Sequence, residues 1–329
     1  MEQSSEKSIV KTIVCVLLWF IFNISMAIVS KWLYTHGVVC TDGLDCRKFE
    51  FPLTMTSFDI AVGWFLSALY LRIWLPGRPR MSLDRQLSEI APLATCFALS
   101  VGMGNLSLKY IYPSFNQMIG ASSPLITVTM AWLMGTRYNA WTWASMPVIC
   151  GGLCVCVTEE LNFHLLGALS CIGAAILRGV KSIIQQRLLS GKLDPVELLF
   201  YMSPYAATVL YMCALAIEGV DPVLLILWKP LSGVPTTGQS WVWLLLFLTA
   251  FNAWFLSIAN LLVTSYTNAV TLQVLGNVKT CLSIMVSVTV FGNPLQTSQC
   301  FGVASCLFGV WLYGYRGKAI KPKKQKDEA

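Results

Sequence analysis

Ten apolar segments, each long enough to cross a lipid bilayer as a helix, follow one another along this chain. A transmembrane helix needs about 20 predominantly apolar residues. Of the 329 residues, 56% are hydrophobic and 12% are charged, whereas a soluble domain has about 25% charged residues. The segments lie near residues 10–34, 53–75, 88–110, 113–134, 141–158, 165–189, 195–218, 241–264, 267–291 and 298–315. The sequence therefore predicts an all-α polytopic membrane protein with ten transmembrane helices.

Positive charges outside these segments are distributed unequally between the two sides. Cytosolic loops of membrane proteins carry an excess of Lys and Arg. With the N-terminus in the cytosol, 15 cations lie on the cytosolic side, and only Arg47, Lys48 and Lys229 lie on the other. This asymmetry predicts that both termini are cytosolic. The basic tail, residues 318–329, either contacts anionic lipid or is a solvated topology signal.

A short motif recurs in the two halves of the chain. Asn105-Leu106-Ser107-Leu108 and Asn260-Leu261-Leu262-Val263 each precede a short turn and the next apolar segment, 155 residues apart. A five-helix unit that is repeated in one chain must be inverted in the membrane, because five is odd. We therefore predict two inverted five-helix halves, residues 1–160 and 161–317, with a transport site near the midplane.

Five cations lie inside the apolar segments, and few acidic residues accompany them. A charged side chain at the centre of a transmembrane helix costs roughly 2.5–3.5 kcal/mol, so it usually lines a polar cavity and meets an opposite charge. Asp59 is the clearest acidic residue in these segments. The cations are Lys31, Lys109, Arg178, Lys181 and Lys279. This imbalance predicts an anionic solute as their partner, and hence a carrier of phosphorylated or nucleotide-linked molecules.

The central cations have the chemistry that phosphate binding needs. Arg178 and Lys181 lie three residues apart, on one face of the sixth predicted helix, and Lys279 lies near the middle of the ninth. Lysine supplies a point charge, and arginine a planar fork that binds phosphate through two hydrogen bonds. The alternative is a structural ion pair with Glu159 or Glu160, at the end of the fifth predicted helix.

The remaining polar candidates each have two interpretations. Lys31 and Lys109 lie within about one turn of the lumenal ends of their helices, where a long side chain also reaches the interface. Asn116, Tyr201 and their polar neighbours either hold a base, ribose or sugar hydroxyl or bond to another helix.

Several classes of protein are excluded by the motifs that the sequence lacks. It has no metal-ligand spacing, phosphate-binding P-loop, hydrolysis motif or nucleophile triad. We therefore expect no enzyme, no cofactor, no metal site and no nucleic-acid partner. The oligomeric state stays open, a homodimer included. Cys40 and Cys46 share one polar loop and could form a disulfide if that loop faces an oxidising lumen.

Blocks of residues along the whole chain, from about residue 9 to 317, match a known family in order. The blocks are Phe22-Asn23-Ile24 with Lys31-Trp32, Phe51-Pro52-Leu53-Thr54, Ser107-Leu108-Lys109-Tyr110 with Ser114-Phe115, Arg178-Gly179-Val180-Lys181-Ser182, Leu199-Phe200-Tyr201-Met202-Ser203-Pro204, Gln273-Val274-Leu275-Gly276-Asn277-Val278-Lys279, and Phe291-Gly292-Asn293-Pro294. Through them the chain resembles the nucleotide-sugar and triose-phosphate translocators of the drug/metabolite transporter superfamily. Within that family it looks closest to the plant-type branch that carries nucleotide sugars, although Ser30 replaces the usual second Asn of the first block.

Two departures from the triose-phosphate branch bear on the substrate. That branch binds phosphate with a Lys in helix four, within Ile-Lys-Ala, where this chain has Ile119-Gly120-Ala121. It has Lys-Arg in helix nine, where this chain has Lys279-Thr280, as nucleotide-sugar carriers do. The resemblance further implies that Phe200-Tyr201 lies beside the nucleotide base and that Lys279 contacts the diphosphate.

Together these observations predict an antiporter that exchanges a nucleotide sugar for a nucleoside monophosphate by alternating access, in the Golgi or endoplasmic reticulum membrane. The alternatives are a sugar-phosphate or phosphoenolpyruvate/phosphate antiporter and, in another class, a non-transporting membrane scaffold or trafficking regulator. In the predicted site, Lys279, Arg178 and Lys181 carry the positive charge. The remaining members orient the base, ribose or sugar or add charge nearer the lumen: Tyr201, Asn277, Thr280, Asn116, Lys31 and Lys109.

Overall fold

The structure, a computed structural model, describes most of the chain. It covers residues 2–41, 45–49, 51–75, 81–108, 110–111, 116, 119–156, 164–191, 193–220, 222, 239–291 and 297–316. Side chains are described within these ranges except at 2–9, 38–41, 45–48, 153, 156, 239–241, 283–291, 297–299 and 316. Most of the described residues are helical.

The helices coincide with the apolar segments of the sequence. Leu83–Arg85, the π-helical turn Gln86–Ile90 and Ala91–Leu108 run on as one span, α3. The others are α1 (Glu2–His36), α2 (Pro52–Trp74), α4 (Ser123–Leu133), α5 (Ala140–Cys156), α6 (Leu165–Ser190), α7 (Pro195–Ile217), α8 (Gln239–Tyr266), α9 (Ala269–Phe291) and α10 (Thr297–Arg316). Each predicted segment overlaps one of these helices.

Six of these helices have the length and hydropathy of a membrane span. Within the part of the chain that the structure describes, they are α1, α2, α3, α6, α7 and α8. Two shorter apolar helices, Ser123–Leu133 and Cys300–Tyr315, accompany them. The prediction of a helical, polytopic membrane protein is confirmed, whereas ten crossings remain a prediction.

One short hairpin accompanies the helices, in the loop after α1. There β1 (Val38–Thr41) pairs antiparallel with β2 (Asp45–Lys48), and the β-branched residues of β1 favour an extended chain. The register sets Cys40 directly opposite Cys46. The Phe49 N–H donates to the Gly37 carbonyl at 2.8 Å, so these two residues form a hydrogen-bonded pair. Hydrogen-bonded and non-hydrogen-bonded pairs alternate along an antiparallel ladder, so Cys40 and Cys46 form a non-hydrogen-bonded pair, with Cα atoms about 4.5 Å apart. That spacing suits a disulfide, which stays a prediction because these two side chains lie outside the described set.

The chain divides into two compact units. Unit 1 consists of Met1–Asn105 and Ile184–Thr267, and unit 2 of Leu106–Ile183 and Asn268–Ala329. Helix α6 contributes its first part to unit 2 and its last turns to unit 1. Each unit thus combines helices from both predicted halves, and the halves themselves remain a prediction.

In unit 1, an acidic side chain from one helix caps another. Pro52 occupies the first turn of α2, where its missing N–H costs nothing. The Glu218 carboxylate, at the end of α7, accepts the N–H groups of Leu53 and Thr54 at 2.6 and 2.9 Å. It satisfies two donors that a helix N-terminus leaves without partners, and its charge complements the helix dipole. Helix α2 also packs against α7 and α8, so the cap fixes where that packing begins.

In unit 2, glycines bring two helices into close contact. Helices α5 and α10 pack along each other. A Cβ atom added at Gly152 of α5 would lie 2.5 Å from the backbone nitrogen of Cys306, and one added at Gly309 of α10 would lie 2.7 Å from a methylene of Ile149. Only glycine fits at these positions, so the two backbones are in direct van der Waals contact, as small residues permit in membrane proteins.

We expect Gly152→Ala to destabilise the protein by about 1–3 kcal/mol, because the added methyl forces the two backbones apart. Gly151→Ala, on the same helix, is the matched control, since a Cβ atom at Gly151 would meet nothing within 4 Å. Thermal unfolding of the purified variants in detergent measures the difference. Equal melting temperatures for the two alanine variants would contradict the close contact.

Candidate anion-binding site

Three of the predicted site cations cluster within unit 2. Arg178 and Lys181 lie one turn apart on α6, and Lys279 lies on α9. Arg178 is within electrostatic range of both lysines, and all three side chains are half-buried. The fold therefore gathers like charges from positions about 100 residues apart in sequence. Such a cluster is unfavourable in a weakly polar environment unless an anion accompanies it.

The arginine of this cluster has no acidic partner among the residues that the structure describes. Among the described residues, no carboxylate forms an ion pair with Arg178. Glu159 and Glu160, the alternative partners considered from the sequence, lie outside the described residues. The planar guanidinium fork is thus available for an anion with two or more acceptor oxygens.

Side-chain hydrogen bonds tie α9 to its neighbours around the cations. The amide nitrogen of Gln273 donates to the Ser182 hydroxyl at 2.9 Å, and that hydroxyl donates to the Arg178 carbonyl at 2.9 Å. One turn further along α9, the amide nitrogen of Asn277 donates to the Ala121 carbonyl at 2.8 Å. These bonds hold Lys279, two residues beyond Asn277, in a fixed position relative to α6 and to residues 119–121.

A glycine lies directly beside the guanidinium. A Cβ atom added at Gly120 would lie 4.0 Å from Nη1 of Arg178. A side chain at position 120 would therefore grow toward Arg178. In the described structure this space is open, and position 120 itself adds no cation.

The other predicted site residues of unit 2 make local hydrogen bonds. The side-chain amide nitrogen of Asn116 donates to the Ser107 hydroxyl at 2.6 Å, and the backbone carbonyl of Asn116 accepts the Cys171 thiol at 3.8 Å. The Thr280 hydroxyl donates to the Gly276 carbonyl one turn earlier in α9, at 3.2 Å. Of these two residues, Thr280 directly follows a cation of the cluster, Lys279, in the sequence.

Two predicted residues belong to unit 1 and one is not described. The Tyr201 hydroxyl accepts the backbone N–H of Met81 at 3.0 Å, and the neighbouring Phe200 stacks on Trp64 with ring centroids 6.1 Å apart. Lys31 of α1 is exposed. Lys109 lies outside the described residues.

Two polar positions contribute to the structure in ways that the sequence interpretation missed. Gln273 supports the cation cluster, and its spacing of four residues from Asn277 on an otherwise apolar helix was the available signal. Gln185, seven residues beyond Arg178 on α6, is buried in unit 1. There it donates to Asn260 at 3.2 Å and to Thr264 at 2.7 Å.

Comparison with known proteins identifies the family. The model of the Triose-phosphate Transporter family matches residues 10–314. The chain belongs to the triose-phosphate transporter family. The membership expected from the residues is therefore confirmed, and with it the prediction of a membrane transporter.

Individual relatives of this transporter differ in the substrates that their names give. A probable sugar phosphate/phosphate translocator of Arabidopsis thaliana is 33% identical, over 94% of this chain and 96% of that protein. UDP-uronic acid transporter 1 of the same plant is 31% identical, over 95% of this chain and 98% of that protein. A crystal structure matches with a TM-score of 0.64 at 15% identity, over 93% of this chain and 96% of that one, which shows a shared fold.

We expect Gly120→Lys to lower the melting temperature of the ligand-free transporter, because it adds a cation beside Arg178. Gly120→Ala should be tolerated, since its Cβ makes only an ordinary contact. Combining Gly120→Lys with Arg178→Gln should recover about 0.5–3 kcal/mol, the range for directly coupled residues. Thermal unfolding of the wild type, the Gly120→Lys and Arg178→Gln single variants and the double variant measures this coupling. An equal loss with and without Arg178 would show that the added side chain acts through its bulk alone.

Proposed function

We propose that this transporter exchanges a nucleotide sugar for a nucleoside monophosphate by alternating access. The carrying observation is the cluster of Arg178, Lys181 and Lys279 in unit 2, in which Arg178 pairs with no described carboxylate. A diphosphate carries the opposite charge and offers several acceptor oxygens to the arginine fork and the lysine point charges. In this proposal Arg178 and Lys279 hold the diphosphate, and Lys181 adds positive charge.

The other contacts in the proposal follow mainly from the family resemblance. Thr280 and Asn116 meet the sugar, whereas Asn277 and Tyr201 orient the base or ribose. The amide nitrogen of Asn277 already donates to the Ala121 carbonyl, so in this proposal its side-chain oxygen Oδ1 contacts the base or ribose. Lys31 and Lys109 add charge nearer the lumen.

We propose that ten helices in two inverted five-helix halves build the transporter. Two observations support this. Each predicted segment overlaps a helix, and the chain passes from unit 1 to unit 2 at comparable points of the two halves. One passage from unit 1 to unit 2 follows Asn105, at the end of α3, and the other follows Thr267, at the end of α8. The excess of cations on one side supports cytosolic termini, and in this proposal the membrane is that of the Golgi or the endoplasmic reticulum.

A sugar-phosphate antiporter is the second candidate, and the translocator that is 33% identical favours it. Against it, the chain has Gly120 and Thr280 where the triose-phosphate branch has cations. A non-transporting scaffold is the candidate from another class. It assigns no role to an arginine that lies within an apolar helix and pairs with no described carboxylate.

Exchange rather than one-way flux follows from the same charges. An empty cationic site is costly within the membrane, so the carrier should reorient readily only when an anion is bound. We expect proteoliposomes preloaded with UMP or GMP to take up the matching nucleotide sugar several-fold faster than empty ones. Equal uptake by empty vesicles would rule out coupled exchange. Inhibition by sugar phosphates, but not by free UMP or GMP, would favour the second candidate.

Neutralising the cations tests the site itself. Arg178→Gln and Lys279→Gln should each lower uptake about tenfold or more, since hydrogen bonds to charged groups contribute about 1.5–3 kcal/mol. Arg137→Gln, at an exposed arginine outside the cluster, is the control for the same loss of charge. Uptake is measured in proteoliposomes at matched protein content. If the double variant still carried every phosphorylated compound at the original rate, the cluster would not be the binding site.

A further inference from the structure

Unit 1 contains a cavity of about 400 Å³ that the proposed solute site does not use. One wall carries Arg85, Glu89 and Pro92 of α3, and the other Ile184, Arg187 and Leu188 of α6. Arg85 and Glu89 are four residues apart and Glu89 and Pro92 three, and Ile184 is three residues from Arg187 and four from Leu188, so each set lies on a single helix face. The cavity is therefore lined by two facing helix surfaces within one compact unit.

The lining of this cavity combines charged and apolar side chains. Arg85, Glu89 and Arg187, at the start of α3 and the end of α6, form its charged end. The apolar side chains of Pro92, Ile184 and Leu188 lie beside them. Such a lining suits an amphipathic ligand.

The charged end has a small positive excess. Nε of Arg85 contacts the Glu89 carboxylate at 3.0 Å. Within the described structure, this is the ion pair that Arg85 forms. It uses Nε, so the two terminal nitrogens of the guanidinium can contact a ligand. Two arginines and one glutamate amount to one net positive charge, which matches a single phosphodiester better than a dianion.

The backbone at this end is shaped and braced. Residues Gln86–Ile90 form a π-helical turn, closed by the Ala91 N–H to the Gln86 carbonyl. Such turns are rare and occur frequently at functional sites. The side-chain amide of Gln86 donates to the Met81 carbonyl at 2.8 Å, and the Met81 N–H donates to the Tyr201 hydroxyl at 3.0 Å. These bonds hold the segment that presents Arg85 and Glu89.

We propose that this cavity binds an anionic phospholipid, with its phosphodiester on Arg85 and Arg187 and its glycerol and acyl chains along Pro92, Ile184 and Leu188. The predicted topology places both arginines on the cytosolic side, where anionic lipids are enriched. The proposal does not depend on which solute the transporter carries.

Lipid retention by the full-length protein tests this. We expect native mass spectrometry of protein from phosphatidylserine-containing bilayers to show bound phosphatidylserine, and nanodiscs with this lipid to raise the melting temperature above that in phosphatidylcholine alone. Arg187→Gln should weaken the effect about tenfold, since it removes a charge-assisted hydrogen bond to the phosphodiester. Glu89→Gln, which removes the competing carboxylate, should strengthen it. Arg72→Gln, at an exposed arginine of the same unit outside the cavity, should leave it unchanged.

Each contrary result has a definite meaning. Equal losses in Arg187→Gln and Arg72→Gln would show general surface attraction and overturn the site. Equal stabilisation by soluble glycerophosphoserine or inorganic phosphate would assign the cavity to a free anion and overturn the lipid. Should Arg187→Gln fail to fold, Glu89→Gln still decides, since unchanged or weaker retention in that variant contradicts the proposal.

Discussion

The hydrocarbon of a bilayer offers the peptide backbone no hydrogen-bond partner, so every buried polar group must be satisfied within the protein. Helices meet this requirement along their length, and side chains complete it. Buried Ser57, Ser67 and Ser203 donate to the carbonyl one turn earlier. Glu218 closes the N-terminus of α2 from the end of another helix. The polar residues of these apolar segments are therefore, for the most part, parts of the helices themselves.

The cations on α6 and α9 bring charge into this framework. The fold gathers them, and the bonds from Gln273 and Asn277 fix the helices that carry them. Like charges that are held close together repel each other strongly in a weakly polar environment. In the proposed function a bound anion offsets this repulsion, which would select an anionic solute and favour exchange.

Close backbone packing supplies stability where the hydrophobic effect cannot. In lipid, an apolar side chain gains little by leaving the tails for another helix, so van der Waals contact dominates association. Gly152 and Gly309 permit such contact between α5 and α10. Unit 2 therefore keeps a firm scaffold on helices that carry no site cation.

The positions of the helices were predictable from the sequence because the bilayer demands long apolar runs, and these are visible without any tertiary information. The candidate cations were visible for the same reason, since a charge within such a run is conspicuous. The hairpin after α1 was missed because its strands are only four residues each and pair through backbone bonds that leave no long pattern.

What the sequence by itself determined was the class of fold, the family and the presence of positive charges within helices six and nine. Only the tertiary structure decided which of these residues meet. It assembled Arg178, Lys181 and Lys279 in one unit, assigned Tyr201 to the other, and turned Gln185 into a buried network with Asn260 and Thr264. The physical reason is that helix periodicity fixes neighbours within a helix, whereas partners on other helices depend on how the helices pack.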